Sequence, residues 1–300
     1  MVLFRGDIKC RSLQRRTSIS VILPADNLHF LNDTEDIVEK PYKTLYLLHG
    51  LYGSDDIFLA NTSIQKFAED NGIAIVIPCG ENSFYLDDYG SNRLFGEYVG
   101  QELLDITRNI FPLSDKREDT FIAGFSMGGY GAIRNGLKYY QNFSKIGMIS
   151  AALITDDIVD YGDNHNVLYS KPFYESVFGN LDEVKGSDKD PKYLIENCDD
   201  IPEIYMYCGL DDFLFEKNAD FYKFLKSNDI DATFVGAEGE HNWDFCDEFV
   251  KEFIKNVIKK FKRVYCRGIC RECGSKLKRM KLNVPDVAAK ILGQKSFVEF

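Results

Sequence analysis

Short apolar runs alternate with helix-like stretches along most of the chain. Unbroken apolar runs are typical of strands buried on both faces of a parallel sheet, and they occur at 45–48, 73–77, 121–125, 146–149 and 204–207. An earlier segment, 17–23, alternates apolar and polar residues and indicates a half-exposed strand. Apolar residues at helical spacing fill the intervals, at 64–69, 94–110, 127–139, 215–225 and 243–261. This alternation predicts an α/β fold with an open, mostly parallel sheet and helices on both faces.

The segment 155–201 breaks the alternation. It is polar and acidic, and it contains several Gly and Pro residues: Gly162, Gly179, Gly186, Pro172 and Pro191. Because structureless loops of this length are uncommon, we expect a small insertion with short helices after the strand that ends near residue 150. Both a lid or substrate wall and a solvated insertion fit this pattern.

The charge of the chain is unevenly distributed. The net charge of the 300 residues is −11, but residues 262–300 carry ten Lys and Arg against three Asp and Glu, a local +7, which leaves −18 for residues 1–261. Since 300 residues are near the upper size for one hydrophobic core, we expect one domain over 1–261 and a basic extension over 262–300. An acidic body repels nucleic acid and anionic membranes, so neither is an expected partner.

The sequence also bears on location. No apolar run approaches the roughly 18–20 residues of a membrane span, and residues 1–9 carry charges where a signal peptide would be apolar. Eight Cys residues without a leader fit reduced thiols. These features predict a cytoplasmic protein.

The motif Gly124-Phe-Ser126-Met-Gly128 follows a predicted strand and precedes a predicted helix. A G-x-S-x-G sequence in this context forms a tight turn that exposes the Ser hydroxyl above the sheet. The helix N-terminus beneath it favours a developing negative charge. Ser126 is therefore the candidate nucleophile.

A nucleophilic serine needs a base, and the chain contains His29, His49, His165 and His241. When the nucleophile lies in such a turn, the acid and then the His follow it in the chain. Only His165 and His241 follow Ser126, and only His241 stands between a strand-like stretch and the last helix. His241 is therefore the candidate base.

Two adjacent carboxylates, Asp211 and Asp212, follow the predicted strand at 204–207. Spacing alone does not choose between them as the partner of His241. For the oxyanion, we expect backbone N–H groups from Met127 and from the His49-Gly-Leu-Tyr-Gly53 loop, where Leu51 is the first candidate and Tyr52 the second.

Several motifs together resemble the esterase D family, and within it the tributyrin esterase and acetylesterase branch. They are the segments 12–24, 47–50, 82–85, 124–131, 208–214 and 241–243. The similarity spans about residues 7–261 and implies an α/β-hydrolase fold. It also implies a serine carboxylesterase for short-chain acyl esters that needs no cofactor, and it suggests a homo-oligomer. In this family the acid is the Asp before a Phe-Leu pair, which here is Asp212, and the resemblance makes Tyr52, Tyr85 and Trp243 candidate pocket residues.

The extension departs from the family pattern. Cys266, Cys270 and Cys273 form one zinc-knuckle-like group, but a second knuckle is missing. Because the second knuckle is missing, a basic extension with reduced thiols is the favoured interpretation, with zinc binding as the alternative, and no metal is expected in the hydrolase domain.

Three functions remain open at this point. The first is a carboxylesterase. The second uses the same triad as a thioesterase of the S-formylglutathione hydrolase type or as an acyltransferase. The third is a non-catalytic binding protein that recruits partners through the Cys-containing extension.

Overall fold

The computed structural model describes residues 1–25, 40–160 and 170–258. Its strands are β1 (Val2–Cys10), β2 (Arg15–Leu23), β3 (Thr44–Leu48), β4 (Ala74–Pro78), β5 (Asp87–Asp88), β6 (Arg93–Leu94), β7 (Thr120–Phe125), β8 (Lys145–Ile149), β9 (Glu203–Gly209) and β10 (Ala232–Ala237). Its α-helices are α1 (Ile57–Asn61), α2 (Ile64–Asn71), α3 (Phe95–Glu97), α4 (Leu103–Ile110), α5 (Met127–Lys138), α6 (Lys171–Phe178), α7 (Pro191–Glu196), α8 (Phe215–Ser227) and α9 (Trp243–Ile258). His29, His165 and the extension with Cys266, Cys270 and Cys273 lie outside the described residues.

Eight strands form the central sheet, in the order β1-β2-β4-β3-β7-β8-β9-β10. The strands from β4 to β10 in this order are parallel to one another, whereas β1 and β2 are antiparallel to their neighbours. The predicted mostly parallel sheet is confirmed. The sequence pattern did not predict β1, because its residues after Phe4 are mostly polar and all but its last residue, Cys10, remain at least partly exposed.

The two faces of the sheet carry separate apolar cores. Successive residues of a strand point to opposite faces, so Tyr46 and Leu48 of β3 join one core while Leu45 and Leu47 join the other. Helices α5 and α8 cover the first core, and α2 and α9 cover the second. Helices therefore lie on both faces, as the alternation of runs predicts.

The predicted helix over 94–110 is interrupted. Between α3 and α4 the chain makes a π-helical turn over Tyr98–Glu102. There the Glu102 carboxylate accepts hydrogen bonds from the backbone N–H groups of Arg11 (2.7 Å) and Ser12 (2.8 Å). This turn brings the carboxylate to the hairpin that joins β1 and β2, a long-range contact that periodicity does not encode.

The segment 155–201 contains short helices, as expected: α6, α7 and the 3₁₀ turns Ile158–Asp160 and Leu181–Glu183. Ionic contacts that include the buried Arg134 join it to α5. Arg134, 1% exposed, bonds Asp188 through Nη2 (2.6 Å) and faces Asp87 at 3.4 Å. Lys138 also bonds Asp188, at 2.7 Å. The helix after the G-x-S-x-G turn therefore anchors the insertion.

Within the described ranges, no helix is both long and apolar enough to cross a bilayer.

The buried ionic cluster should be important for stability. Replacing Arg134 by Ala removes the buried guanidinium beside the Asp87 carboxylate and leaves that carboxylate the Lys138 ammonium at 3.3 Å. Breaking a buried ion pair destabilises proteins by about 3–5 kcal/mol, and because Lys138 compensates in part we expect a loss at the lower end of that range. Lys66→Ala is the control, because its ion pair with Asp70 is exposed and should contribute less than about 1 kcal/mol. Urea unfolding measures the free energy of unfolding of both variants. Equal decreases in Arg134→Ala and Lys66→Ala would contradict the assigned role of Arg134.

Candidate active site

Ser126 lies at a strained turn between β7 and α5. Its φ of 58° and ψ of −118° are unusual for a residue other than Gly. Hydrogen bonds hold this conformation: the Ser126 N–H donates to the Ile149 carbonyl (2.9 Å), and the Ser126 carbonyl accepts from the N–H of Ala152 (3.0 Å). The last residue of β8 and the segment just after it therefore fix the turn from both sides.

Close packing explains the glycines around Ser126. A Cβ on Gly128 would lie 2.0 Å from the Leu48 carbonyl oxygen, and a Cβ on Gly124 would lie 2.2 Å from the Gly128 carbonyl oxygen. Both contacts involve backbone atoms that cannot move aside. The turn therefore tolerates no side chain at either position.

Three candidate side chains meet above the carboxyl end of the sheet. His241 Nε2 lies 3.0 Å from Ser126 Oγ, and His241 Nδ1 lies 2.9 Å from Asp212 Oδ2. The Asp212 side chain is fully buried, whereas Asp211 is exposed. The carboxylate that faces the imidazole is thus that of Asp212, a choice that sequence spacing left open.

The surroundings of Asp212 keep it ionised. Burial by itself raises the pKa of Asp212, but hydrogen bonds from His241, the Ser150 hydroxyl and the Leu214 N–H (2.8 Å) outweigh this and lower the pKa below the usual 3.8. A depressed folded-state pKa means that ionised Asp212 stabilises the fold above about pH 3.8. This contribution disappears as the pH falls through the folded-state pKa.

Ser150 is a site residue that the sequence analysis missed. It is fully buried directly after β8, has a positive φ of 46°, and donates its N–H to the Tyr207 carbonyl (2.7 Å). Its hydroxyl is one of the groups that lower the pKa of the Asp212 carboxyl, and the Cys208 thiol donates to it (4.0 Å). A serine after an apolar run carries no signal for this role, because only the order of the strands brings β8 and β9 side by side.

Two aromatic rings contact the His241 imidazole. Phe125 stacks on it with ring centroids 4.7 Å apart and an angle of 26°, and Phe125 is 6% exposed. Phe213 lies at the same centroid distance with an angle of 49°, but it is 71% exposed. One ring therefore supports the imidazole from the protein interior, and the other covers it from the solvent side.

The loop after β3 lies beside the nucleophile. A Cβ on Gly50 would lie 3.2 Å from Ser126 Cβ. The Tyr52 N–H donates to Asn82 Oδ1 (3.0 Å). By contrast, among residues 1–25, 40–160 and 170–258 no hydrogen bond uses the N–H of Leu51 or that of Met127, the first residue of α5. Leu51 and Met127 thus keep the free donors that an oxyanion hole needs, and Tyr52 does not.

His49 stabilises this loop and is not placed to act as a base. The Gly80 N–H donates to His49 Nε2 (2.8 Å), so Nδ1 carries the proton and donates to the Gly50 carbonyl (2.7 Å). Burial lowers the pKa of His49 from its usual 6.5, which keeps the ring neutral. His49 therefore holds the loop after β3 against the loop after β4.

The candidate pocket residues have different surroundings. Tyr52 is 68% exposed at the mouth of the site. Tyr85 is fully buried and its hydroxyl donates to the His49 carbonyl (3.0 Å), so it supports the loop after β3 and exposes no surface of its own. Trp243 is partly buried against Phe58 and Phe125, behind the imidazole. In the described part of the chain, no group of three His, Cys, Asp or Glu side chains could hold a metal ion.

The strained serine, the imidazole and the buried carboxylate, set on the carboxyl edge of a mostly parallel sheet, define a serine hydrolase of the α/β-hydrolase class. Comparison with known proteins agrees. The family model described as "Putative esterase" matches residues 10–258, and the chain belongs to this family. An acetyl esterase of Caldicellulosiruptor saccharolyticus is 42% identical over 255 residues, which cover 83% of this chain and 96% of that protein.

Two solved structures from Staphylococcus aureus are also similar, each at 33% identity over 86% of this chain. One is the fluorophosphonate-binding serine hydrolase FphF (TM-score 0.74, 99% of its chain), and the other is the S-formylglutathione hydrolase FrmB (TM-score 0.73, 98% of its chain). The protein is therefore an enzyme, a serine esterase that acts on carboxylic esters. The expected family, fold and enzyme class are confirmed. These findings disfavour the non-catalytic binding protein that the sequence left open.

Ser150 should position Asp212 for catalysis. Ser150→Gly removes the hydroxyl while glycine accepts the positive φ, so the fold should persist. Because a hydrogen bond to a charged group contributes roughly 1.5–3 kcal/mol, we expect kcat to fall by about tenfold or more with KM unchanged.

A double-variant cycle separates this role from a structural one. In an Asp212→Asn background, Ser150→Gly should cause little further loss of kcat, because the carboxylate through which Ser150 acts is already gone. Equal losses in both backgrounds would show that Ser150 does not act through Asp212.

Proposed function

We propose that the protein hydrolyses short-chain acyl esters, acetyl esters foremost, with Ser126 as nucleophile, His241 as general base and Asp212 as its carboxylate partner. The observation that carries this assignment is the continuous relay from Ser126 Oγ to His241 Nε2 (3.0 Å) and from His241 Nδ1 to Asp212 Oδ2 (2.9 Å). These distances are within the range for proton transfer between positioned groups.

The first half-reaction forms an acyl-enzyme. Ser126 Oγ attacks the ester carbonyl carbon while His241 Nε2 takes the hydroxyl proton, and Asp212 stabilises the imidazolium that results. The N–H groups of Leu51 and Met127 bind the oxyanion, and each such donor is worth about 2.7–4 kcal/mol in the transition state. His241 then donates its proton to the departing alcohol oxygen as the carbon–oxygen bond breaks.

The second half-reaction releases the acid. A water molecule gives a proton to His241 and attacks the acyl carbonyl, and the collapse of the intermediate returns that proton to Ser126 Oγ. All proton transfers use groups of this chain and water.

The acyl group is proposed from the relatives. The acetyl esterase is similar over 96% of its own length, which favours an acetyl substrate for this chain. The likeness to the S-formylglutathione hydrolase favours a thioester as the second candidate, since the same relay serves a thiol leaving group. The role of 155–201 as a substrate wall, zinc binding in the extension, the cytoplasmic location and the homo-oligomer stay predictions.

Loss of the nucleophile tests the mechanism. Ser126→Ala should lower kcat for p-nitrophenyl acetate by about 10⁵–10⁶-fold, since the covalent step is lost. Ser91→Ala, at an exposed serine outside the site, is the matched control and should keep full activity. Undiminished hydrolysis by Ser126→Ala would refute the proposed role of this serine.

A substrate panel tests the acyl and leaving groups. The substrates are ranked by kcat/KM, which compares transition states rather than binding. We expect kcat/KM to be highest for p-nitrophenyl acetate, lower for the butyrate and lowest for S-formylglutathione, because the similarity to the acetyl esterase favours an acetyl group and an ester. The opposite order, with S-formylglutathione first, would favour the thioesterase candidate instead.

A further inference from the structure

Phe213 is an exposed aromatic ring in direct contact with the proposed catalytic imidazole. It follows Asp212 in the chain, is 71% exposed, and its ring centroid lies 4.7 Å from that of His241. A scattered exposed apolar residue needs no explanation, but this one covers the solvent side of the group that transfers the proton. The His241 side chain itself is only 19% exposed.

The order of strands fixes which part of an ester lies near Phe213. The loop with Leu51 follows β3, on one side of β7, whereas the loops with Asp212 and His241 follow β9 and β10, on the other side of β7. With Ser126 after β7, the oxyanion faces the β3 side and the imidazole stands on the β9–β10 side.

Proton transfer then determines the position of the alcohol. The leaving oxygen must lie within hydrogen-bond distance of His241 Nε2 to receive its proton. The first carbon atoms of the alcohol are bonded to that oxygen and therefore lie beside the imidazole. Phe125 fills the interior side of the ring, so the alcohol must extend over the solvent side, where Phe213 lies.

The chemistry of these loops indicates which alcohols fit. Phe213 offers an apolar π-face and no polar atom, so contact with this ring favours an apolar group. The loops 210–214 and 238–242 contain three further acidic residues, Asp211, Glu238 and Glu240, and no Lys or Arg. Their charge repels an anionic leaving group.

We propose that Phe213 forms the binding surface for the alcohol portion of the substrate and that the enzyme prefers esters of neutral, apolar alcohols, aromatic ones above all. This inference rests on the proposed triad, since it places the alcohol by the proton that His241 donates. It adds a leaving-group preference to the acyl preference described above.

Three acetates with a common acyl group test the proposal: benzyl, ethyl and 4-carboxybenzyl acetate. Their kcat/KM values report acylation, which involves the alcohol, whereas deacylation starts from the same acetyl-enzyme in every case. We expect the wild type to favour benzyl over ethyl acetate by about tenfold or more, and over 4-carboxybenzyl acetate by a similar factor.

The variants isolate the ring. Phe213→Ala should reduce the benzyl-to-ethyl ratio of kcat/KM about tenfold, and Phe213→Leu should retain an intermediate ratio. Tyr89→Ala is the matched control, because Tyr89 is similarly exposed (73%) in the turn between β5 and β6. The benzyl-to-ethyl ratio of this variant should equal that of the wild type.

Other outcomes overturn the inference. An equal loss of kcat/KM for all three acetates would mean that Phe213 only steadies the imidazole. A benzyl-to-ethyl ratio that stays at the wild-type value in Phe213→Ala would mean that the ring does not bind the alcohol. If the sedimentation coefficient of Phe213→Ala also differed from that of the wild type, a second copy of the chain would cover Phe213. Failure of the triad itself is distinguishable, because Ser126→Ala would then hydrolyse all three acetates at wild-type rates.

Discussion

The backbone strain at Ser126 is the constraint on which the rest of the site depends. A non-glycine residue at φ 58° and ψ −118° is energetically unfavourable. It persists because its N–H and carbonyl bond the end of β8 and the segment just after it. The segment after β8 also supplies Ser150, whose hydroxyl helps to lower the pKa of Asp212. One short stretch of chain therefore fixes the backbone of the proposed nucleophile and the carboxylate that orients its base.

Two histidines near the site have different roles, and the difference follows from their burial and hydrogen bonds. His49 and His241 both lie close to the sheet edge, yet the His49 ring is fully enclosed and both of its nitrogen atoms are used by loop backbone. His241 uses only Nδ1 for a structural partner, so Nε2 remains available to Ser126. Two residues of the same type thus serve loop geometry in one case and proton transfer in the other.

Much of the fold could be predicted because its signals are local. The apolar runs that became β3, β4, β7, β8 and β9 are short and unbroken, and the helices between them have clear apolar faces. The prediction failed where stabilisation is not local. Strand β1 is held by backbone pairing with β2, and the π-helical turn lies where Glu102 bonds the β1–β2 hairpin. Neither interaction leaves an apolar pattern in the chain.

The sequence by itself determined the chemistry: a G-x-S-x-G turn between strand and helix, a histidine after the last strand, and a pair of aspartates after the strand before it. The family resemblance already favoured Asp212, and Leu51 was the first candidate in its loop. The tertiary structure shows that Asp212 rather than Asp211 faces the imidazole and that Leu51 rather than Tyr52 keeps a free N–H, and it alone decided that Tyr85 is a buried support. It alone brought Ser150 and Phe213 to the site. The physical reason is that motifs specify residue types along the chain, whereas hydrogen-bond partners and exposure depend on which strands become neighbours.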